Sequence, residues 1–272
     1  MHFLFISMAG LVLLLGGCVG SGSSGNSLST ATANAFSDYV LVNPVTGSTE
    51  MRADVPDLAT NPTYRSSVIV FRRIHGGGGA LGTSDNEAYR EADDFSHYRS
   101  LTVAEHFLAV FELTNAQYEK LAGSSVAGDA LPKTDLSPAA VDTLLDAASS
   151  RLRLRLRLPS ANEWEYDCRA GALSLFSWGD QTDTLIPSQY ATTYIDAATA
   201  VAPVGSRSAN GFGIFDMHGN VWELTSDESA TSRAICGGSW RDPLLQARCA
   251  NRAQLPIHIG HPLVGIRLVL GR

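Results

Sequence analysis

The chain of 272 residues carries a formal net charge of −7, with 20 Lys and Arg against 27 Asp and Glu. That balance excludes nucleic acid as the main partner. A composition of 44% hydrophobic and 17% charged residues is that of a globular protein with enough chain for a substantial core.

Residues 3–15 (FLFISMAGLVLLL) form an apolar run too short to span a bilayer comfortably. The run ends in Leu15-Gly16-Gly17-Cys18, which resembles a bacterial lipoprotein signal, although the preceding segment carries His2 and no Lys or Arg. Residues 1–17 are expected to be a lipoprotein signal peptide and Cys18 the lipidated residue. Residues 18–66, opening with GSGSSGNSLSTATANA after Cys18 and Val19, are expected to be a mostly flexible tether. The expected location is the bacterial cell envelope, lipid-anchored at the outer membrane and surface-exposed. A plain secretory or structural apolar segment is the alternative. In an exported chain Cys168, Cys236 and Cys249 allow at most one intramolecular disulfide, and the absence of CxxC and CxxH pairs excludes a structural zinc site.

Residues 67–272 are expected to form one domain. Residues 67–82 (SVIVFRRIHGGGGALG) read as a strand followed by a four-glycine turn, and 101–111 as another strand. Thr114 is an N-cap. Ser137 and Pro138 open a helix over 137–149. The run Arg151–Leu158 has period two, so as a strand it would place four Arg on one face and four Leu on the other. Ser160 and Glu163 make a capping box for a third helix. From Gly171 onward the chain is rich in Gly, Pro, Ser and Asn, the composition of a domain dominated by loops.

Five stretches occur in order: Leu113-Thr114-Asn115-Ala116-Gln117-Tyr118; Arg157-Leu158-Pro159-Ser160-Ala161-Asn162-Glu163-Trp164-Glu165-Tyr166; residues 211–224 (GFGIFDMHGNVWEL); Gly237-Gly238-Ser239-Trp240; and Gly265-Ile266-Arg267-Leu268. Together they resemble the formylglycine-generating-enzyme, or sulfatase-modifying-factor, domain family over roughly residues 68–272. The resemblance implies an α+β, C-type-lectin-like fold with a small twisted antiparallel sheet, a few helices and much irregular loop. The enzymes of this family bind copper through paired cysteines shortly after the Gly-Gly-Ser motif. Here those positions hold Arg241, Asp242, Pro243, Leu244 and Leu245, with no thiol. The chain is therefore expected not to be an enzyme. The alternatives are a metal-dependent oxidase, for which Cys236 and Cys249 would have to form an unfamiliar copper pair, and an inert structural relative in the envelope. The resemblance also implies a Cys168–Cys249 disulfide with Cys236 left as a buried thiol. It further implies a calcium site at Asp216 and Glu223, whose hard oxygens suit Ca²⁺. Carboxylates that merely accept loop N–H bonds are the competing reading of that pair.

The final segment resembles one branch of this fold, the variable proteins of diversity-generating retroelements. In residues 237–272 a frame (Gly237-Gly238-Ser239-Trp240, Arg248-Cys249-Ala250-Asn251-Arg252, Pro256, Gly265-Ile266-Arg267-Leu268) surrounds inserts with no helical or strand period. The resemblance makes this a variable region that binds a protein or other surface ligand as a monomer. Its expected contacts are Trp240, Arg241, Asp242, Leu244, Leu245, Ala253, Leu255, Ile257, His258, Ile259, His261 and Leu263. The inserted Leu and Ile residues read as an exposed apolar patch. The competing reading is that they complete the core.

Overall fold

The computed structural model describes residues 37–83, 98–194 and 199–271. Cys18 and the signal segment lie outside the described residues.

Sheet formation begins earlier than the sequence reading places it. Tyr39–Val42 (β1) is buried along its whole length and pairs with Thr49–Arg52 (β2) and Ile69–Ile74 (β3). Further strands are Gly77–Leu81 (β4), Arg99–Val103 (β5), His106–Ala109 (β6), Arg155–Arg157 (β7) and, at the C-terminal end, Val269–Gly271 (β14). Six of these form an antiparallel sheet in the order β2-β1-β3-β6-β14-β7. Its two faces bury alternate residues. Val40, Val42, Ile69 and Phe71 enter one core with Leu270, while Tyr39, Leu41, Val70, Leu108 and Val269 enter a second. A sheet covered on both faces needs apolar side chains at consecutive positions, which explains the unbroken runs YVLV and IVF. The expected tether boundary at residue 66 is therefore corrected: Tyr39–Val42 already belongs to the sheet of the domain.

The helices follow their caps. Asn115–Leu121 (α1) starts at a reciprocal box, in which Thr114 Oγ1 accepts from Gln117 N at 3.1 Å and Gln117 Oε1 accepts from Thr114 N at 3.2 Å. Pro138–Leu152 (α2) has Ser137 as its cap, and Ala161–Arg169 (α3) has the Ser160–Glu163 box. α2 runs past 149 because Val141, Leu145, Ala148 and Leu152 continue one buried helical stripe. Arg151 and Leu152 thus belong to the helix, Arg153 ends it at φ 57°, and only Arg155–Arg157 is strand. The Arg/Leu alternation still orders burial, with Leu152, Leu156 and Leu158 inside and Arg151, Arg153, Arg155 and Arg157 outside.

The four-glycine run is also strand and not turn, since Gly77–Gly79 pair with Leu101–Val103. A Cβ at Gly79 would stand 3.0 Å from the Tyr166 ring, so glycine here lets α3 lie close on the β4–β5 hairpin.

The second sheet carries the site. It consists of Trp222–Glu228 (β10), Ser232–Cys236 (β11), Arg252–Pro256 (β12) and Val264–Ile266 (β13), in the order β12-β11-β10-β13 with β10 and β13 parallel. Beside it a short turn of helix (α4, Pro187–Tyr190) leads into Ala191–Thr192 (β8), which pairs in parallel with His218–Gly219 (β9).

Candidate functional site

The C-terminal segment hangs on buried anchors. Gly237 and Gly238 adopt φ values of 98° and 71°, and a Cβ on Gly237 would stand 2.9 Å from the Trp164 ring. Only glycine fits there. Arg252 reaches from β12 to α3, donating to Glu165 Oε2 at 2.9 Å and to Ala161 O at 3.2 Å. Arg267 donates to both oxygens of Glu223 on β10 and to the carbonyls of Ala109 and Phe215. These guanidiniums carry their charge in the interior because each meets a carboxylate and further acceptors.

The inserts divide into two stretches. The first, 241–246, lies against residues 175–194: Tyr194 N donates to Asp242 O at 3.0 Å, and Leu244 packs with Phe176 and Ala191. The second, 257–263, lies on residues 133–139, through Ala139 N to Ile257 O and Asp135 N to His261 O, each at 3.2 Å. Arg241, Pro243, Gln254, Pro256, His258, Ile259, His261 and Pro262 are exposed, Ile259 by 56%. Trp240, Leu245, Ala253, Ile257 and Leu263 are half-buried, and Ala253 and Leu263 pack on the main core.

Two of the expected contact residues are corrected. Leu244 is 1% exposed and Leu255 5%; Leu255 is a strand residue facing the core shared with α2. Neither can touch a ligand, so the continuous apolar patch expected of the inserts shrinks to Ile259 with half-buried Leu245, Ile257 and Leu263. Asp242 is also committed inward. Its Oδ2 accepts from Ser239 N at 3.0 Å, Ser239 Oγ at 2.5 Å and Trp222 Nε1 at 2.9 Å. Tyr194, 69% exposed beside Asp242, is a surface residue that no motif in the sequence marks.

Behind this surface lies a buried group that sequence reasoning saw only in part. Cys168 Sγ and Cys249 Sγ stand 3.0 Å apart, so the pair named by the family resemblance is brought together, here as two thiols. His218 joins them, and one ligand atom from each residue lies within 4.8 Å of the others. Its Nδ1 donates to Ala247 O at 2.8 Å, and its Nε2 accepts from Ser177 Oγ at 2.9 Å and Ser177 N at 3.3 Å. Burial pushes the imidazole down to about 4, so it is neutral. Burial, reinforced by Cys249, holds the Cys168 thiol well above its ordinary range. Phe176 and Trp178 meet the His218 ring edge-on.

This constellation does not suit a nucleophile, because the one base beside the thiol has both nitrogens occupied. It does not suit a metal as arranged either. Cys168 Sγ is 3.7 Å from Nε2 and 3.9 Å from Nδ1. Ser177 holds Nε2 and the Nδ1 proton is given to Ala247, so a metal would have to displace one of these partners. Cys236 stands outside the group, its thiol pushed up to about 12 by burial.

The expected calcium pair sits in a buried charge cluster. Glu223 gives both oxygens to Arg267, and its Oε2 also accepts from Trp164 Nε1 at 2.7 Å. Asp216 Oδ2 accepts from Gly205 N at 2.5 Å, and burial raises Asp216 to about 6. Burial, together with Asp216 and Glu223, raises Glu112 well above the carboxylate range. A calcium ion at Glu223 would have to expel a guanidinium that has no solvent to move into, so these residues do not fit a calcium site. They hold loop N–H groups and one arginine.

The formylglycine-generating enzyme of Mycobacterium tuberculosis is 38% identical over 103 residues, covering 35% of this chain and 32% of that protein. The chain matches about a third of the length of such curated relatives. Two solved structures share the fold. Treponema denticola variable protein 1 superposes with a TM-score of 0.64 at 15% identity, covering 75% of this chain and 96% of that one. PvdO from Pseudomonas aeruginosa gives 0.67 at 23%, covering 75% and 95%. With its α+β architecture and a match that runs from residue 56 to residue 271, the chain belongs to the sulfatase-modifying factor enzyme 1-like domain family.

Proposed function

We propose that this chain is an exported, lipid-anchored binding module whose C-terminal segment is a variable, ligand-binding surface, and that it is not an oxidase. The observation that carries the reading is Asp242. Among the positions where the family resemblance calls for copper-binding thiols stands a carboxylate whose Oδ2 accepts three hydrogen bonds, from Ser239 and Trp222. Residues 241–245 are held by hydrogen bonds and offer no soft ligand to a metal. Around it Arg252 and Arg267 fix the strands from inside, while Arg241, Gln254, His258, Ile259 and His261 face outward. A backbone fixed in advance keeps the ordering cost of binding low, whichever side chains it displays. The apolar run before Cys18 supports export and lipidation.

The rival reading is a formylglycine-generating-type oxidase, and it draws on the Cys168–His218–Cys249 group alone. The test is to load the purified chain with copper(I) and offer it a cysteine-containing peptide. No aldehyde is expected, and turnover of the peptide would sink the proposal. The DNA beside the gene should carry a near-copy of the final segment differing at adenines, next to a reverse transcriptase. Metabolic labelling with a palmitate analogue should depend on Cys18, and labelling retained in Cys18→Ala would refute the anchor.

A further inference from the structure

We infer that the open edge of β12 is where a ligand docks, and that the ligand is an extended peptide segment adding to the sheet as a further strand. This deepens the binding-module reading and rests on it. Ile257 N donates to Thr231 O at 3.1 Å, and β12 keeps one register with β11 from Arg252 opposite Cys236 to Pro256 opposite Ser232. Antiparallel pairs alternate between hydrogen-bonded and non-bonded. Ala253 and Leu255 therefore exchange bonds with β11, while the N–H and C=O of Gln254 point away from it. Gln254 is exposed, and among the described residues neither of these groups has a partner. The other edges of the two larger sheets are closed or guarded. On β7 both outward groups of Leu156 are taken by Ser149, whose Oγ accepts from Leu156 N at 3.1 Å and donates to Leu156 O at 3.3 Å. β13 is buried throughout and gives Ile266 O to Leu113 N at 2.8 Å. β2 is exposed but carries Glu50 and Arg52, and charges on an edge deter pairing. β12 has no bulge, and its one charge, Arg252, turns inward onto Glu165.

The size and pleat of the edge select its occupant. Five residues span about 17 Å. Two such edges from two copies of the chain, laid side by side, bury less than the total of about 1,000 Å² that a stable interface needs. A flexible peptide needs no such area, and it can also cover the half-buried Ile257 next in the chain. In the added strand every second side chain falls on the face of Ala253 and Leu255, which belongs to the core shared with α2. Those between fall beside Gln254 and Ser232, whose side chains are hydrogen-bonded to each other. The peptide is therefore apolar at alternate positions and polar between them. Its main chain meets the N–H and C=O of position 254, and the C=O is there whichever residue stands at that position, the N–H with any residue but proline. Affinity thus comes from the backbone, and selectivity from the side chains displayed around it.

The experiment selects short peptides displayed on phage against the immobilised full chain and synthesises the tightest binder. Amide hydrogen exchange read by NMR should show Gln254 N–H fast, and Ala253 and Leu255 N–H slow, in the free chain. Bound peptide should protect Gln254. N-methylation along the peptide should weaken binding roughly fivefold or more at one set of alternate residues and leave it unchanged at the other, each effective methyl removing one main-chain hydrogen bond. Gln254→Pro should weaken binding by a similar factor, while Gln254→Thr should bind as the parent does. Should Gln254→Pro fail to fold, the N-methyl series still decides. No selected peptide, a protected Gln254 N–H in the free chain, or N-methylation without alternating effect would each overturn the proposal. So would a dimer in sedimentation that Gln254→Pro dissolves, which would give the edge to a second copy. Binding that ignores N-methylation but falls when Arg241, His258 and Ile259 are together changed to Ser would overturn edge docking and leave the displayed surface standing. Binding indifferent to both would sink both readings.

Discussion

Truncating Leu255 separates the core of the C-terminal segment from its surface. Leu255 is 5% exposed on β12, packed in the core that holds Ile235 of β11 and the apolar stripe of α2. Leu255→Ala removes three carbons, two of them methyl groups, from a site whose neighbours come from a sheet and a helix, which cannot both collapse into the gap. The expected loss is about 2–5 kcal/mol, a fall in Tm of roughly 5–20 °C for a domain of this size. Ile259 is the control. It is more than half exposed in the loop after β12, and Ile259→Ser should change stability by less than about 0.5 kcal/mol. Urea unfolding followed by tryptophan fluorescence measures both, with four Trp in the chain as probes. Leu255→Ala within about 0.5 kcal/mol of the parent would show that the strand is not packed as described. Unfolding by Ile259→Ser would make the exposed inserts structural and remove the proposed binding surface.

Other consequences are as direct. His106 offers both ring nitrogens to acceptors, Nδ1 to Ala104 O at 3.0 Å and Nε2 to Asp167 Oδ2 at 2.9 Å, so the pair needs a proton between them. Burial opposes a charge on His106, but Asp167 outweighs it and raises the imidazole; burial raises Asp167 to about 6. Both raised groups stabilise the fold while protonated, so their contribution fades as pH climbs through the folded values. The chain should therefore lose stability relative to Asp167→Asn as pH rises from about 4 to about 6, and a relative gain would invert the assignment. Arg267→Ala leaves Glu223 buried without its counter-ion beside Asp216 and should cost about 3–5 kcal/mol, read as loss of cooperative unfolding. Millimolar calcium, or its removal with a chelator, should shift Tm by less than about 1 °C, since bound cation would otherwise stabilise by mass action; a larger shift would restore Asp216 and Glu223 as ligands.

The helices were legible because their signals are local. Thr114 with Gln117, Ser137 with Pro138 and Ser160 with Glu163 each satisfy end groups within one turn, and no distant residue is needed to recognise them. The Arg/Leu run misled because two periods overlap in it. Leu152 lies four residues after Ala148 on the helical stripe and also alternates with the later leucines, and helix packing won for the first two positions. β1 was assigned to a tether because it follows a polar, low-complexity stretch, although YVLV needs only a sheet buried on both faces to become core. His218 was missed for a different reason. Its partners Cys168, Ser177, Ala247 and Cys249 stand far from it in the chain, and nothing in the spacing joins them. The same limit applies to Leu244 and Leu255: irregular spacing correctly marked a segment without a repeat, but only the packing shows which of its side chains point inward.

That division bears on how a segment can vary without unfolding. The anchors of the second sheet are ion pairs between elements far apart in sequence, Arg252 with Glu165 on α3 and Arg267 with Glu223 on β10. Breaking either would strand a buried charge, whereas exchanging an exposed side chain alters at most a solvent-exposed hydrogen bond, such as Ser232 Oγ to Gln254 Oε1 or Leu263 N to His261 Nδ1. The exposed positions also lie where the chain leaves regular pairing: Arg241 before the turn at Leu244, His258, Ile259 and His261 between β12 and β13. A substitution there breaks no ladder hydrogen bond. Gln254 is the instructive exception, since it is exposed and yet pairs with Ala234 inside the sheet. Its side chain holds only an exposed hydrogen bond from Ser232 Oγ and can change at small cost, but proline there would remove the backbone N–H that a strand position has available for pairing. Variation in this segment is thus bounded residue by residue: any side chain at His258, any but proline at Gln254 and at Ile259, whose N–H donates to Pro256 O, and at Leu255 only an apolar group of similar volume.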